Sequence, residues 1–276
     1  MTSVTVCIPH CNSPRLLKAC LASVLHYSHP LIATEIVVID QSDERFTDEV
    51  DKACHGVAEM IRIPRIDAGY PLDVAVRRSN AEYFCSLDAD CFPISHQWLA
   101  TPIYLMNETG RTVVGTDTGL GMAYKQYGEF RVINNFYRIM THEAADFCSR
   151  VAGFIRPQHR HSVEMLFETP WLAGSPLSEM MEADNGVCAN LSVEDSLKLA
   201  LPICRHSGRT PKHGIWGMVV ADLVYHLVFG YCEATVNEPS TELGSAVLQM
   251  RESICAALDP VEFIRRHAVP SAVNYL

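Results

Sequence analysis

Residues 1–115 alternate short β-branched runs with helix-like stretches, and each of the main runs closes on Pro or on a carboxylate. Val4 to Ile8 ends at Pro9, Glu35 to Ile39 ends at Asp40, and Tyr83 to Leu87 ends at Asp88-Ala89-Asp90. After the first run, Asn12-Ser13-Pro14 supplies a cap residue with Pro near the first helical position. Leu16, Leu17, Cys20, Leu21, Val24 and Leu25 follow at i, i+3/i+4 spacing, which predicts a helix of three to four turns. Helices are also expected over Thr47 to Met60 and Asp73 to Ala81, with short strands at Ile61 to Ile63 and Thr112 to Gly115. Such alternation builds a mostly parallel, Rossmann-like α/β sheet flanked by helices. Ligand sites in open sheets of this kind lie at the carboxyl ends of the strands. Pro9, Asp40, Asp88 and Asp90 are therefore expected to converge on one crevice.

The remaining residues are less regular. Helices are expected over Asn134 to Ser149, Ser192 to Leu201 and Ser245 to Leu258, and Gly115 to Gly121 reads as a loop. Ile215 to Tyr231 is the longest apolar stretch, but Asp222 and His226 interrupt it. It falls short of the roughly 20 residues that a spanning helix needs. It is expected to form a core helix, or a face for a membrane or for self-association into a homo-oligomer through residues 215–231. The domain division expected is residues 1–115 for the regular α/β part and residues 116–276 for the less regular part with the C-terminal helices.

A net charge of -10 argues against general nucleic-acid binding, which calls for a basic surface. The 11 cysteines include no C-x-x-C pair, and several sit within apolar runs. A reduced, cytoplasmic protein without a signal peptide or transmembrane segment is the expectation.

Asp88 and Asp90 carry the chemistry. On an extended chain, residues i and i+2 share a face. Two carboxylates so close repel unless protons or a cation lie between them. Oxygen ligation favours Mg²⁺ or Mn²⁺. An Asp-rich solvated turn is the bland alternative.

Taken in order, these segments resemble glycosyltransferase family 2, with its GT-A fold. Val4 to Asn12 and the helix after it are similar to that family's opening strand, loop and helix. Glu35 to Ser42 is similar to its second strand, and Ala81 to Asp90 to the strand carrying its D-x-D motif. The resemblance implies metal-dependent, inverting transfer of a sugar from a nucleotide-sugar donor, a UDP-sugar foremost, to an acceptor hydroxyl. It implies that Asp88 and Asp90 hold Mn²⁺ or Mg²⁺ at the donor's diphosphate, and that Asp40 contacts the base. Pro9, Asp67 and Gly69 join the nucleotide pocket. Asp184, in Glu182-Ala183-Asp184-Asn185-Gly186, stands where the family has its general base, although the same residues also read as a turn. A late His completes the metal site in many members; His226 is the first choice here and His206 the second. The chain departs from the family at Pro71-Leu72-Asp73, where an Ala-Arg-Asn element is common, and at Gln41-Ser42, after Asp40.

Two other classes stand beside this reading. A nucleotidyltransferase would also use paired Asp, yet the first loop, Pro9 to Arg15, has no glycine. A non-catalytic nucleotide-sugar-binding or assembly protein would keep the fold alone. Acceptor contacts are expected around Tyr124 to Tyr137, His159 to His161 and Trp171, and the acceptor's class is left open.

Overall fold

A computed structural model describes residues 1–65, 70–117, 133–146, 200–205, 218–227 and 242–267. Its centre is a seven-stranded, mostly parallel sheet. In chain order the strands of the whole structure are β1 (Thr2–His10), β2 (Ile32–Asp40), β3 (Glu59–Arg62), β4 (Tyr83–Leu87), β5 (Cys91–Pro93), β6 (Val113–Asp117), β7 (Ile133–Thr141), β8 (Ala200–Arg205), β9 (Met218–Val220) and β10 (Val224–His226). The large sheet has the order β3-β2-β1-β4-β7-β6-β8, and β5-β10-β9 form a second, small sheet. Strand β7 runs antiparallel to both β4 and β6; the other pairs of the large sheet are parallel. The helices are α1 (Pro14–His26), α2 (Thr47–Cys54), α3 (Tyr70–Arg78), α4 (Ala100–Thr109), α5 (Glu242–Ala256) and α6 (Pro260–His267).

The opening β/α unit forms as its residues dictate. Strand β1 is central and β-branched, and Val4, Val6, Cys7 and Ile8 are fully covered. Its ladder to β4 runs from Val4 to Cys7, so Pro9, which lacks an N–H, lies beyond it. Pro14 starts α1, and Leu16, Leu17, Cys20, Leu21 and Val24 form the buried face. Leu25 departs from the expected stripe and is exposed. Under α1 and α4, Trp98 is fully buried and donates its indole N–H to the Tyr27 carbonyl at 3.1 Å. Tyr137 donates its hydroxyl to the Trp98 carbonyl. Helix α4 ends at Gly110, whose φ of 68° is the left-handed conformation glycine adopts without strain.

Several expected elements differ. Residues 134–141, expected to be helical, belong to β7, and a short helical segment follows at 142–146. Phe136, Tyr137, Ile139 and Met140 satisfy a helical spacing but are aromatic, branched or flexible enough for a strand. Their slot between β4 and β6 decides the matter. Helix α2 stops at Cys54 rather than near Met60, because Gly56 takes φ 73° and turns the chain into β3. Gly115–Asp117 closes β6 rather than opening a loop, and Ala200 and Leu201 begin β8.

The largest correction concerns residues 215–231. No helix occupies the described part: residues 218–227 form the β9–β10 hairpin. Its three-residue connection, Ala221 to Leu223, has φ of 49° and 57° at Ala221 and Asp222, and Leu223 donates its N–H to the Val220 carbonyl at 2.8 Å. That is the backbone twist hairpins favour, normally carried by Asn-Gly or Asp-Gly. With neither glycine nor asparagine there, the apolar run reads as a helix. Val219, Val220 and Leu223 to Leu227 are buried, so this segment offers no apolar helix face for self-association.

Candidate active site

Three parallel strand ends build the first half of the site. His10 pairs in register with Asp40, and Asp40 with Arg62, so the three residues form one row across β1, β2 and β3. His10 Nδ1 lies 2.9 Å from Asp40 Oδ1, and Arg62 donates through Nε to Asp40 Oδ2 at 3.2 Å. Ser42 donates its backbone N–H to Asp40 Oδ1 at 3.1 Å. The Ser13 N–H reaches His10 Nε2 at 3.1 Å, which makes Nε2 the acceptor and places the proton on Nδ1, facing Asp40. The Asp40 side chain has no exposed surface. Burial alone would raise its pKa. Hydrogen bonds from His10, Ser42 and Arg62 outweigh burial and hold the carboxyl down at about 2.

The loops beyond these strands are clasped together. Asn12, at φ 53°, accepts the Asp43 N–H through Oδ1 at 2.8 Å and donates through Nδ2 to Asp43 Oδ2 at 3.0 Å. Asn is among the few residues that tolerate this conformation. The Asn12 N–H donates to Ser42 Oγ at 2.7 Å. Asp40 therefore stands at the expected edge, but its oxygens face His10, Ser42 and Arg62.

The second half lies where β4 passes into β5. Strand β4 ends at Leu87, and Asp88-Ala89-Asp90 forms a turn closed by the Cys91 N–H on the Asp88 carbonyl at 2.9 Å. The triplet is thus a turn at a strand end, and strand alternation does not govern its two carboxylates. Asp90 is fully buried and Asp88 nearly so. In the small sheet His226 lies directly opposite Cys91, and the Leu227 N–H donates to the Asp90 carbonyl at 3.0 Å. This pairing brings His226 Nε2 to 3.6 Å from Asp90 Oδ1. The Phe136 ring stacks on the imidazole at 4.0 Å between centroids. Asp90, Cys91 and His226 each offer a ligand atom within 4.8 Å of the others, and Asp88 is not part of that group. A buried carboxylate beside an imidazole fits a divalent cation by donor chemistry.

Of the residues expected in the site, Pro9, Asp40, Asp88, Asp90 and His226 all lie at strand ends or adjoining turns. Asp67, Gly69, Asp184 and His206 lie outside the described residues, as do His159 to His161 and Trp171. Tyr137, expected near the acceptor, is a fully buried core residue instead. Sequence reading missed His10, Arg62 and Cys91. The signal for His10 and Arg62 was register: each lies where its strand ends beside Asp40.

The model of the family described as glycosyl transferase family 2 matches residues 5–153, over half of the chain, and the protein belongs to that family. Among solved structures, glucosyl-3-phosphoglycerate synthase from Mycobacterium tuberculosis in complex with phosphoglyceric acid is similar at 13% identity. The TM-score is 0.42, covering 55% of this chain and 65% of that one. The same synthase with Mn²⁺, UDP-glucose and phosphoglyceric acid gives 12% identity and a TM-score of 0.43, covering 55% and 65%. S. aureus TarS 1-349 is similar at 18% identity with a TM-score of 0.39, covering 52% of this chain and 48% of that one. The chain thus spans less than two thirds of these proteins' lengths. No curated protein sequence matches it. No helix among the described residues is long and apolar enough to cross a membrane.

Proposed function

We propose that this protein is a metal-dependent, inverting glycosyltransferase that moves a sugar from a nucleotide-sugar donor, a UDP-sugar foremost, to an acceptor hydroxyl. One observation carries the reading beyond family membership. The buried Asp90 carboxylate meets the His226 imidazole at 3.6 Å, at the carboxyl end of the sheet. Asp90 and His226 would hold Mn²⁺ or Mg²⁺, with Asp88 acting beside them through water or the sugar. Such a cation offsets the charge that builds on the leaving diphosphate.

The remaining roles fall to the chain itself. His10, Asp40, Ser42 and Arg62 fix the floor of the nucleotide pocket, and Pro9 directs β1 into it. Asp40, already bonded to His10, Ser42 and Arg62, acts on the base through the rim it organises. Asp67 and Gly69 are assigned to the same pocket by the family pattern. Asp184 takes the acceptor's proton as its oxygen bonds to the anomeric carbon. The bond from that carbon to the diphosphate oxygen breaks with inversion, and the diphosphate keeps the electron pair. A base in this role contributes about 10²–10⁴-fold. Residues 1–115 carry the donor and residues 116–276 the acceptor. A reducing, cytoplasmic setting goes with this reading: Cys7, Cys20, Cys85 and Cys91 are buried in the core as small apolar residues.

Donor hydrolysis tests this without knowledge of the acceptor. The protein is incubated with radiolabelled UDP-, GDP- and dTDP-sugars, with and without Mn²⁺. Mn²⁺-dependent release of sugar from one donor, lost in Asp90→Asn, is expected. Absence of both release and any Mn²⁺–nucleotide shift in melting temperature would favour a non-catalytic protein.

A further inference from the structure

We infer that Asp90, Cys91 and His226 together form a site that a thiophilic divalent ion, Zn²⁺ foremost, occupies in competition with Mn²⁺. The third ligand builds on the assignment of Asp90 and His226 to the cation. Register supplies it: Cys91 and His226 are directly opposed across β5 and β10, and opposed residues project from the same face of a sheet. The Asp90 backbone is held by the Leu227 N–H at 3.0 Å, and the imidazole plane is held by Phe136. These restraints hold the Asp90 backbone and the imidazole plane, and the ladder holds Cys91 opposite His226, before any ion arrives.

The geometry suits sulfur. Cys91 Sγ lies 3.9 Å from Asp90 Oδ1, and His226 Nε2 lies 3.6 Å from the same oxygen. Tetrahedral Zn²⁺, with bonds of about 2.3 Å to sulfur and about 2.0 Å to nitrogen and oxygen, needs its ligand atoms about 3.3–3.5 Å apart. Side-chain adjustments of a few tenths of an ångström on these two edges close the gap. Coordination forms one sulfur–metal bond, and the thiol proton leaves to solvent. Oxygen ligands serve Mg²⁺ and Mn²⁺, whereas a thiolate selects for zinc-like ions. A cysteine between the carboxylate and the turn's exit therefore changes which metal the site prefers. The fourth position is left for water or a diphosphate oxygen.

Co²⁺ is the spectroscopic probe. Titrated into the full chain with UDP present, one equivalent is expected to give visible d–d bands and a near-ultraviolet thiolate-to-cobalt band, both abolished by Zn²⁺. In Cys91→Ser the near-ultraviolet band should vanish. Zn²⁺ affinity should fall on the order of tenfold or more while Mn²⁺ affinity, read by electron paramagnetic resonance, stays within about twofold. Should Cys91→Ser fail to melt cooperatively, Cys91→Ala and zinc-edge X-ray absorption on the wild type take its place. One sulfur scatterer at about 2.3 Å is expected there. Co²⁺ binding without the sulfur band, or a band that survives in Cys91→Ser, overturns the inference. If Mn²⁺ fails to bind but the Cys91-dependent band is present, the sulfur site stands and the metal-dependent transferase reading falls. If Mn²⁺ binds and no band appears, the outcomes are reversed.

Discussion

Replacing Asp40 by Asn isolates the charge at the centre of the strand-end row. The carboxyl of the folded protein titrates at about 2, against an ordinary value of 3.8. Because the folded value is depressed, the stabilisation is fully present above pH 3.8 and is lost as pH falls through that value toward 2. The shift corresponds to about 2 kcal/mol at pH 7. The Asp40 side chain has no exposed surface, so little screening by solvent reduces that figure. Asn can still accept from His10 and Ser42 through its oxygen. Its amide would face the Arg62 N–H, donor against donor, and that adds to the cost.

Urea unfolding of the wild type and Asp40→Asn, at pH 7 and pH 3, measures the term. The variant should be less stable by about 2 kcal/mol or somewhat more at pH 7, and the charge-dependent part of the gap should shrink by about half at pH 3. A gap of the same size at both values would refute the reasoning. The cost would then be one of shape, and the Asp40 charge would contribute nothing. Arg62→Met serves as the companion variant. It keeps the His10 and Ser42 bonds and removes one cation, so its pH dependence should be the smaller of the two.

Ala221→Gly should stabilise the protein by roughly 1 kcal/mol, read by thermal or urea unfolding, because Ala at φ 49° carries strain that glycine lacks. Asp90→Asn should reduce Mn²⁺-dependent donor hydrolysis by about 10²-fold or more while leaving the melting temperature without metal close to that of the wild type. His226→Gln should weaken the extra thermal shift that Mn²⁺ adds to UDP; an unchanged shift together with a lowered basal melting temperature would make His226 a core residue only. Trp98→Ala should cost about 3–5 kcal/mol in urea unfolding, since a fully buried indole and its bond to the Tyr27 carbonyl are both lost.

The parts of the fold legible in the sequence are those in which local pattern and tertiary position agree. Strand β1, helix α1 and strand β2 carry β-branched runs, a Pro at the helix start and an apolar stripe, and these residues occupy the slots those patterns predict. Residues 134–141 and 218–227 were misread for one physical reason. An apolar run without glycine or proline fits either period, and only its neighbours settle which it adopts. At β7 the neighbours are β4 and β6; at β10 they are β5 and β9. The Ala221-Asp222 turn gave little warning: Asp tolerates the left-handed region, but Ala does not, and no glycine or asparagine marks the turn.

The same dependence on neighbours explains why the site was only half visible. Asp40, Asp88 and Asp90 announce themselves because each ends a strand run in its own segment. What surrounds them is set by register between strands, which no local pattern encodes. His10 lies in the Asp40 row because β1 and β2 pair from Thr2 opposite Ile32 without interruption as far as His10 opposite Asp40. A slip of one residue on β1 would turn the imidazole to the other face of the sheet and leave the carboxylate with only Arg62 and the Ser42 N–H. His226 meets Asp90 by the same logic, through a three-residue ladder in which Val224, Tyr225 and His226 face Pro93, Phe92 and Cys91. So short a ladder owes its register to the buried Phe92, Val224 and Tyr225 side chains around it, with Phe92 and Tyr225 stacked at 6.2 Å. Phe92→Ala should therefore loosen the metal-binding end as well as the core. Mn²⁺ should stabilise that variant less than it stabilises the wild type, even at temperatures where both are folded. An equal Mn²⁺ effect in the two proteins would mean that the Asp90–His226 approach does not depend on the small sheet.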